Sequence, residues 1–417
     1  MKDQASLPLD RAEDRPDLDF VPTRKAGLDR LEAFAPKAGR NYAARRNHDL
    51  PGHPHVSSLS PYIRHRVVTE AETCAAILDR FAPSTAEKFL QEVCWRTYFK
   101  GWLERRPAVW TAYRAGVERG RNRLATESGL RREWEAACKG ETGIEPFDHW
   151  ARELVQTGYL HNHARMWFAS IWMHTLRLPW ELGADFFLRH LLDGDPASNT
   201  LSWRWVAGLH TKGKTYRARA SNIGKYTDGR FDAATLGHQL ATDTPVPDDA
   251  PHPDPIAPPD DADWQRGVKT GLLLHDDDLH PDYLFARGLD AVATSVLTAA
   301  EGRSPFEVSG HVLSFTRALA EDACERLGKD CCTPISDVDA IAAWAQAAGL
   351  DQIVTPYAPV GPVRDRLDRL DAALDIPVIR PVRAWDQRAW PHCTAGFFKL
   401  KKKIPDLMES IPEDMVA

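Results

Sequence analysis

The spacing of hydrophobic and polar positions changes part-way along the chain. From about residue 21 to residue 231, apolar residues recur three and four positions apart in segments rich in Ala, Leu, Arg and Glu. Examples are TEAETCAAILDRF, AEKFLQEVCWRTYFKGWL and PFDHWARELVQTG. This spacing places the apolar side chains on one face of a helix. The pattern predicts an α-helical domain over residues 21–236.

After residue 262, short apolar runs alternate with helical segments. TGLLLHDDD, QIVTPY and IPVIRPV predict buried strands, and HVLSFTRALAEDACERLG, DVDAIAAWAQAAGL and VRDRLDRLDAAL predict helices. Alternation of this kind is typical of a doubly wound parallel sheet. We therefore predict a smaller α/β domain over residues 263–417, following the α-helical one.

Two further segments have the composition of connecting chain. Residues 1–20 are polar and acidic, which predicts a loose N-terminal arm. Residues 237–262 contain seven of the chain's 30 prolines and many aspartates, which predicts a stiff, extended linker. At about 3.1 Å per residue this linker could span roughly 80 Å. We expect such a linker to leave the two halves separable.

Composition excludes several classes of protein. The chain is 43% apolar and 27% charged, which excludes collagen-like, coiled-coil and wholly disordered chains. No run of eighteen apolar residues predicts a membrane span, and the N-terminal residues lack the apolar core of a secretory signal. The seven cysteines contain no CxxC pair. They therefore predict neither a disulfide framework nor a metal site. We expect a cytoplasmic monomer with no membrane partner.

The net charge of -6 hides an asymmetry between the two halves. Residues 1–240 contain 36 Lys and Arg against 29 Asp and Glu, a balance of +7. The remaining residues contain 17 against 30, a balance of -13. A basic half joined to an acidic half favours two domains with different partners. The alternative is chance drift between two solvated surfaces.

Two segments in the first half have side chains suited to chemistry. Tyr42 is followed by two arginines and by HVSSLSPYIR, whose adjacent serines near a helix start offer hydroxyl and N–H groups to a phosphate. The alternative is an ordinary helix cap. FLQEVCWRTYF then places Glu92, Trp95 and Arg96 within two turns of one helix. On its own, that segment is equally consistent with an amphipathic helix that buries its aromatics.

Two later segments add a polar cluster and a basic cluster. His161 and His163 point to different faces of a helix, which disfavours a metal site, whereas Asn162 and Arg165 lie about one turn apart. LLDGDPASNTLSWRWVAG contains a DGD sequence that is consistent with either a hydrated metal or a helix cap. A basic segment interleaved with Tyr216 follows. It is equally consistent with a surface that stacks on bases and contacts phosphates and with an ordinary basic loop. Its cations are Lys212, Lys214, Arg217 and Arg219.

Together these segments resemble, over roughly residues 22–231, the flavin-binding helical domain of the photolyase/cryptochrome family. The family patterns TSxLSP, ELxWRxF, GxTGxPxxDAxMRxL, MHNRxRM and DGDxAxNxxxWxW have counterparts here in the same order. The counterparts are Val56–Pro61, Glu92–Phe99, Gly140–Leu154, Leu160–Met166 and Asp193–Trp205. The second half resembles the family's α/β antenna domain less closely. The family's usual domain order is then reversed, as in a circular permutation.

The resemblance implies that FAD binds inside the helical domain. The residues expected to hold it are Tyr42, Val56, Ser57, Ser58, Leu59, Ser60, Arg96, Arg165, Asp193, Gly194, Asp195 and Asn199. Among them, Arg165 and Asp193 would pair beside the flavin ring, and Asn199 would face its N5 atom. Val56 replaces a threonine of the family, which removes one hydroxyl contact. Whether an antenna chromophore also binds, and which one, stays open.

The resemblance also assigns an electron relay. Trp203 and Trp180 match the family's inner and middle relay tryptophans. The outer member does not align, because Leu124 lies near its place. Trp134 and Trp172 are the two candidates to substitute for it.

A lesion pocket and a function follow from the same resemblance. Glu92, Trp95, Asn162, Met166 and Trp205 match residues that hold a flipped-out pyrimidine dimer, and Lys212 and Lys214 would hold DNA phosphates. The implied activity is that of a deoxyribodipyrimidine photolyase, a carbon–carbon lyase. It would repair cyclobutane dimers in ultraviolet-damaged DNA with light and reduced FAD, with Glu92, Asn199, Trp203 and Trp180 as catalytic residues. The alternative is a cryptochrome-like blue-light receptor without repair activity, for which the replacement of a family arginine by His163 leaves room.

Overall fold

A computed structural model describes residues 19–247, 251–328 and 334–411 of the chain. The described residues from 19 to 240 form helices joined by loops, as predicted for residues 21–236. Their helices are α1 (Arg24–Phe34), α2 (Arg40–Arg45), α3 (Ser60–Arg64), α4 (Glu70–Leu78), α5 (Pro83–Glu104), α6 (Pro107–Thr126), α7 (Ser128–Lys139), α8 (Glu145–Thr157), α9 (Asn162–Ser170), α10 (Trp180–His190), α11 (Pro196–Val206), α12 (Ala220–Tyr226) and α13 (Ala233–Gln239).

Local sequence explains where several of these helices begin and end. Thr69 and Glu72 form a reciprocal capping box at the start of α4, which satisfies two backbone donors that the helix itself cannot. Pro83 begins α5, where its missing N–H costs nothing. Gly158 ends α8 in the left-handed conformation with φ 68°, and the chain then turns towards α9.

The second half contains a parallel four-stranded sheet, so the predicted fold class is confirmed. Its strands are β1 (Thr270–His275), β2 (Ala291–Leu297), β3 (Gln352–Val354) and β4 (Val378–Ile379), in the order β2-β1-β3-β4. Thr270 pairs with Gln352, and Ile353 pairs with Val378. Every residue of β1 is buried, as expected for an inner strand of a parallel sheet. The sequence analysis predicted β1, β3 and β4 but not β2.

In the described residues of the second half, seven α-helices follow or connect the strands. They are α14 (Asp282–Ala286), α15 (Gly310–Leu327), α16 (Val338–Ala347), α17 (Pro362–Ala373), α18 (Ala384–Ala389), α19 (Phe398–Lys401) and α20 (Ile404–Glu409). The helices predicted from HVLSFTRALAEDACERLG, DVDAIAAWAQAAGL and VRDRLDRLDAAL correspond to α15, α16 and α17. None of the described helices is both long and apolar enough to cross a lipid bilayer.

The C-terminal segment differs from the predicted domain boundary. Residues 382–411 belong to the hydrophobic core of the helical part rather than to the core around the sheet. Trp385 donates a hydrogen bond from its indole N–H to Thr97 Oγ1 at 3.0 Å. Trp390 packs so closely on α5 that a Cβ at Gly101 would lie 2.5 Å from its ring. The segment returns to the helical part because its apolar side chains complete that core.

The Pro-rich segment also differs in part from the prediction. Its first residues, 237–239, belong to α13, and the described residues 251–262 contain no helix or strand. Residues 251–262 lie along the helical part, where Ile256 donates its backbone N–H to the carbonyl oxygen of Arg105 at 2.8 Å. Asp261 accepts a hydrogen bond from the backbone of Val382 at 2.9 Å. The predicted arm falls mostly on residues 1–18, outside the described residues, but Phe20 is buried against Tyr62 and Tyr159.

Buried charges join the helical part to the sheet. The carboxyl end of β1 continues into three buried aspartates. Arg64 forms an ion pair with Asp277, and Arg383 forms one with Asp278 at 2.6 Å. The Arg64 Nε also donates to the carbonyl of Gly194 at 2.9 Å. Since Gly194 lies among the predicted flavin-binding residues, this interface directly adjoins the candidate site.

Candidate functional site

The Val56–Ser60 loop provides a buried turn before α3. Ser58 has φ 48°, a left-handed conformation, and only 5% of its surface is exposed. Its side chain hydrogen-bonds with the Tyr159 hydroxyl, and burial raises the pKa of Tyr159 to about 12. The Ser57 hydroxyl accepts a bond from the backbone of Leu59 at 3.4 Å. The loop therefore presents hydroxyl and backbone N–H groups suited to an anionic ligand.

Tyr42 links α2 to α5. Its ring packs against Phe89, with 5.2 Å between the ring centroids. Its hydroxyl hydrogen-bonds with Arg46, and Arg46 forms an ion pair with Glu92. Burial, together with the negative charge of Glu92, holds the pKa of Tyr42 above its usual range. Tyr42 is therefore a neutral hydroxyl, and Glu92 is anchored beside it.

Arg165 and Asp193 form a bidentate ion pair. The two hydrogen bonds are 3.0 and 2.8 Å long, and Arg165 Nε also donates to the carbonyl of Leu160 at 2.9 Å. Burial opposes the positive charge, but Asp193 outweighs it and raises the pKa of Arg165. The guanidinium lies over the ring of Tyr159, 5.4 Å from its centroid. Although the guanidinium is held by two partners, 24% of the Arg165 side chain remains accessible.

Asp195 caps α11 and belongs to a network of buried charges. It accepts a hydrogen bond from the backbone of Ser198 at 2.8 Å. Lys100 lies 3.5 Å and Arg96 lies 3.6 Å from its Oδ2 atom. Burial opposes ionisation of Asp195, but these two cations hold its pKa well below the usual range. Arg96 also contacts Glu70 at 3.5 Å, so it is fixed within the network.

Helix α11 carries the predicted flavin-facing amide and the inner relay tryptophan. Asn199 donates from its side-chain nitrogen to the carbonyl of Ala184 at 2.7 Å, which fixes the orientation of the amide. Trp203 is fully buried, 6.2 Å from Trp172 in an edge-to-face arrangement. This contact requires a glycine at position 183, because a Cβ there would lie 2.3 Å from Trp203.

The other relay candidates have separate surroundings. The ring of Trp180 lies 5.8 Å from that of Tyr113, which in turn lies 5.1 Å from Trp110. Trp172 is completely buried, and Trp134 packs on Phe306 at 5.5 Å. Leu124, at the family's outer relay position, is buried. Among the candidate relay tryptophans, Trp172 is the one whose ring contacts that of Trp203, which also contacts Phe187 at 5.1 Å.

The predicted lesion-pocket residues lie on α5, α9 and α11. Trp95 is half-buried and stacks face to face on Phe397, with 3.9 Å between centroids and 12° between planes. Trp205 stacks on Tyr216 at 5.7 Å. Asn162 is exposed and Met166 is half-buried. Each indole therefore has an aromatic support, and both keep part of their surface accessible.

The basic residues and His163 have different surroundings. Lys212 and Lys214 are exposed on the loop after α11. His163, where the family has an arginine, hydrogen-bonds through Nδ1 with Asn47 O at 3.0 Å and stacks on Trp167 at 4.1 Å. Among the described residues, no group of three or more His, Cys, Asp or Glu side chains is arranged to hold a metal ion.

The sequence analysis missed several residues that the structure brings to the site. Tyr159 lies between Ser58 and Arg165, and Lys100 lies beside Asp195. Phe397 covers one face of Trp95. Two adjacent phenylalanines before a run of lysines, GFFKLKKK, were the available signal for Phe397. Nothing in the sequence near Lys100 indicates its position, because its partner is 95 residues away.

The side chains at the site fit FAD. Hydroxyls and N–H groups of the loop suit its phosphates, and the fixed guanidinium of Arg165 suits an electron-rich ring. Buried polar groups of α11 also remain to be satisfied. Within the described residues, the Ser198 and Thr200 hydroxyls and the Trp203 indole N–H have no hydrogen-bond partner. Buried polar groups normally have partners, so these groups are consistent with a bound ligand beside α11.

Comparisons with known proteins agree with this fit. Residues 89–233 match the family model described as the FAD binding domain of DNA photolyase. The matched residues all lie within the helical part. The Arg165–Asp193 pair, Asn199 and Trp203 all lie within the matched residues.

Individual relatives match under half of the chain. A deoxyribodipyrimidine photo-lyase from Streptomyces griseus is 35% identical over 186 residues, which is 44% of this chain and 39% of that protein. One from Alkalihalophilus pseudofirmus is 33% identical over 190 residues, 45% of this chain and 38% of the other. A cryptochrome DASH from Natronomonas pharaonis is 31% identical over 209 residues, 47% of this chain and 42% of the other. The chain thus spans about two fifths of these relatives.

Among solved structures, a bacterial class III photolyase from Agrobacterium tumefaciens is 27% identical with a TM-score of 0.42. The match covers 50% of this chain and 43% of that structure. A cryptochrome from Synechocystis sp. is 22% identical with a TM-score of 0.41, and covers 53% of this chain and 46% of that structure.

Proposed function

We propose that this protein repairs cyclobutane pyrimidine dimers in ultraviolet-damaged DNA, using light and bound FAD. The observation that carries the proposal is the Arg165–Asp193 pair, a fixed and partly accessible positive charge within the residues matched to the FAD-binding domain. Glu92 and Trp95, which match lesion-pocket residues, lie on α5. The named photo-lyases among the relatives support the same activity.

The residues that would hold FAD are the Val56–Ser60 loop, Tyr42, Arg165 and Asn199. When bound and reduced, FAD would supply light-driven one-electron chemistry with no net oxidation, which opens the two carbon–carbon bonds that link the pyrimidines. Arg165 stabilises negative charge near it, and Asp193 keeps the guanidinium from turning away. Asn199 offers a neutral amide, which can hydrogen-bond without delivering a proton.

The residues that would hold the dimer are the two accessible indoles and Glu92. A damaged base pair is less costly to open than an intact one, so extrusion itself favours the lesion. Trp95 and Trp205 would stack on the extruded bases. The ion pair with Arg46 uses Oε1 of Glu92, and Oε2 is the oxygen that would accept a hydrogen bond from the bases. Lys212 and Lys214 would hold phosphates.

We infer in addition that the domain order of the family is reversed here. The helical part ends with α13 at Gln239, before β1 begins at Thr270. Residues 382–411 then return to the helical core. A permuted order of this kind is tolerated where a long connection joins distant ends, and residues 251–262 provide one along the surface.

A binding experiment tests the repair function. The protein should purify with FAD, and its spectrum would also reveal any second, antenna chromophore. It should bind irradiated DNA more tightly than intact DNA. Trp205→Ala should weaken binding to irradiated DNA only, by about 1–3 kcal/mol, as other base–aromatic stacks do.

A matched lysine variant separates lesion recognition from phosphate binding. Lys212→Gln should weaken binding to both DNAs and reduce the salt slope by about one unit. Lys269→Gln, an exposed lysine before β1, should change neither. Protein that takes up no FAD, or that shows no preference for irradiated DNA, would contradict the proposal.

A second function is favoured by two contacts of the lesion-pocket residues. Phe397 covers one face of Trp95, and Arg46 is paired with Glu92, so the chain itself already engages both residues. A cryptochrome-like photoreceptor would use FAD and the relay without needing a free pocket. Illumination separates the two functions, because a receptor would photoreduce its flavin but leave dimers in DNA unrepaired.

A further inference from the structure

Tyr98 joins two separate loops next to Trp95. Its hydroxyl donates to the carbonyl of Ala395 at 2.7 Å and lies 3.0 Å from Nε2 of His210. His210 begins the loop that carries Lys212 and Lys214. Ala395 immediately precedes the segment GFFKLKKK. Both loops therefore meet on α5, one turn from Trp95.

The segment GFFKLKKK places one phenylalanine inward and the next outward. Phe397 is buried against Trp95, and Leu400 is completely buried. Phe398 between them is 76% exposed, the highest exposure among the large apolar side chains of the described residues. Because its neighbours are fixed to α5, this exposed ring is held at the rim of the Trp95 site.

The lysines of the segment divide into two groups. Lys401 pairs with Glu87 at 3.4 Å, and Lys403 pairs with Asp406 at 2.9 Å, so these two have acidic partners within the chain. Lys399 and Lys402 are exposed. Lys399 contacts Thr394 Oγ1 at 3.0 Å. The segment thus presents an exposed aromatic ring together with two exposed lysines.

We propose that residues 396–402 form a second DNA contact, which together with the Lys212–Lys214 loop flanks the Trp95 site. Phe398 stacks on a base next to the lesion, and Lys399 and Lys402 bind the neighbouring phosphates. Aromatic rings among cations are how proteins hold unpaired bases and the attached backbone. The inference rests on the proposed function, because it takes DNA as the partner.

The test compares substitutions in this segment with matched substitutions elsewhere. Phe398→Ala and the double variant Lys399→Gln/Lys402→Gln are paired with Phe285→Ala, at a ring that is 42% exposed on α14, and with Lys269→Gln. Binding of the full chain to duplex DNA, with and without ultraviolet lesions, is titrated at several salt concentrations. Circular dichroism checks that each variant is folded.

We expect distinct losses from the two kinds of substitution. Phe398→Ala should weaken binding to irradiated DNA by roughly 5- to 100-fold and affect intact duplex less, because intact bases stay stacked. The double lysine variant should weaken binding to both DNAs and reduce the salt slope by about two units. The two control variants should bind as the wild type does.

The outcomes separate this inference from the proposed function. If wild type prefers irradiated DNA but the Phe398 and lysine variants bind as well as it does, the second contact is refuted and the repair function stands. If wild type shows no such preference, the repair function fails. In that case the double lysine variant still tests the second contact, because it is also titrated against intact DNA. An unchanged salt slope there refutes the second contact.

Discussion

Arg66 and Asp386 lie 320 residues apart in the chain and form a buried ion pair, with 2.6 Å between Nη2 and Oδ2. The same guanidinium lies 3.3 Å from Glu70 and 3.4 Å from Asp278. One side chain of the helical part thus contacts α4, the end of β1 and α18. The buried charges of the helical part and those at the end of the sheet compensate each other, so each part needs the other.

Asp386→Asn is expected to destabilise the protein strongly. The Asp386 side chain is 3% exposed, so the substitution removes a compensating charge from a buried cation. Breaking a buried ion pair in this way costs about 3–5 kcal/mol. The free energy of unfolding in urea measures the loss.

An exposed ion pair serves as the control for that substitution. Asp368 pairs with Arg380 but is 55% exposed, so Asp368→Asn should change the free energy of unfolding by less than about 1 kcal/mol. Equal effects at the two positions would show that the buried network does not hold the two parts together.

A fragment that ends at residue 240 is expected to be insoluble or unfolded. It would keep Arg64 and Arg66 but lose their partners Asp277 and Asp386. It would also lose the apolar side chains of residues 382–411 from its core. Expression of residues 1–240, followed by measurement of solubility and bound FAD, checks this. A soluble fragment with full FAD content would contradict it.

This expectation reverses what the composition of the chain suggests. A Pro-rich segment indicates a tether, and a tether indicates separable halves. Composition cannot show that Arg66 pairs with a residue 320 positions away, because nothing near either residue marks the other. The fold class was predictable because the spacing of apolar residues depends only on local geometry. Strand β2, AVATSVL, was missed because alanines, a threonine and a serine dilute its pattern, and only its last three residues are buried.

The candidate site was predictable to a similar extent. Arg165, Asp193 and Asn199 lie in motifs that resemble those of a known family, so the sequence predicted them as one set. Phe397 could not be predicted to contact Trp95, because its segment was expected to belong to the α/β domain. The contact exists because apolar residues of the C-terminal segment bury themselves on α5, and that depends on the whole fold.

Asp185→Asn is expected to change how stability depends on pH. Burial raises the pKa of Asp185 to about 6, although Arg189 and a hydrogen bond from Ser304 oppose the shift. An unfolded Asp has a pKa of about 3.9. Between these two pH values the folded state keeps a proton that the unfolded state has released. The contribution of Asp185 to the free energy of unfolding is therefore fully present below about pH 4 and is lost as the pH rises through about 6.

The variant cannot ionise at this position and keeps an acceptor for Ser304. Its free energy of unfolding, relative to wild type, should therefore rise by roughly 3 kcal/mol between pH 4 and pH 7. Urea unfolding of both proteins at pH 4.5, 5.5 and 7 measures this. A constant difference across the three pH values would mean that Asp185 does not titrate in this range.

Trp203→Phe is expected to slow light-driven reduction of bound FAD by at least about tenfold, the effect of a barrier higher by ~1.4 kcal/mol. Phenylalanine fills most of the buried site beside Phe187 and Gly183 but is much harder to oxidise than indole. FAD content should stay unchanged, because the substitution leaves Asn199 in place. The control variant Trp150→Phe changes another fully buried indole, and light should reduce its bound FAD as fast as in wild type. If the FAD of Trp203→Phe is also reduced that fast, a different donor serves the flavin, and Trp172, 6.2 Å from Trp203, becomes the residue to substitute next.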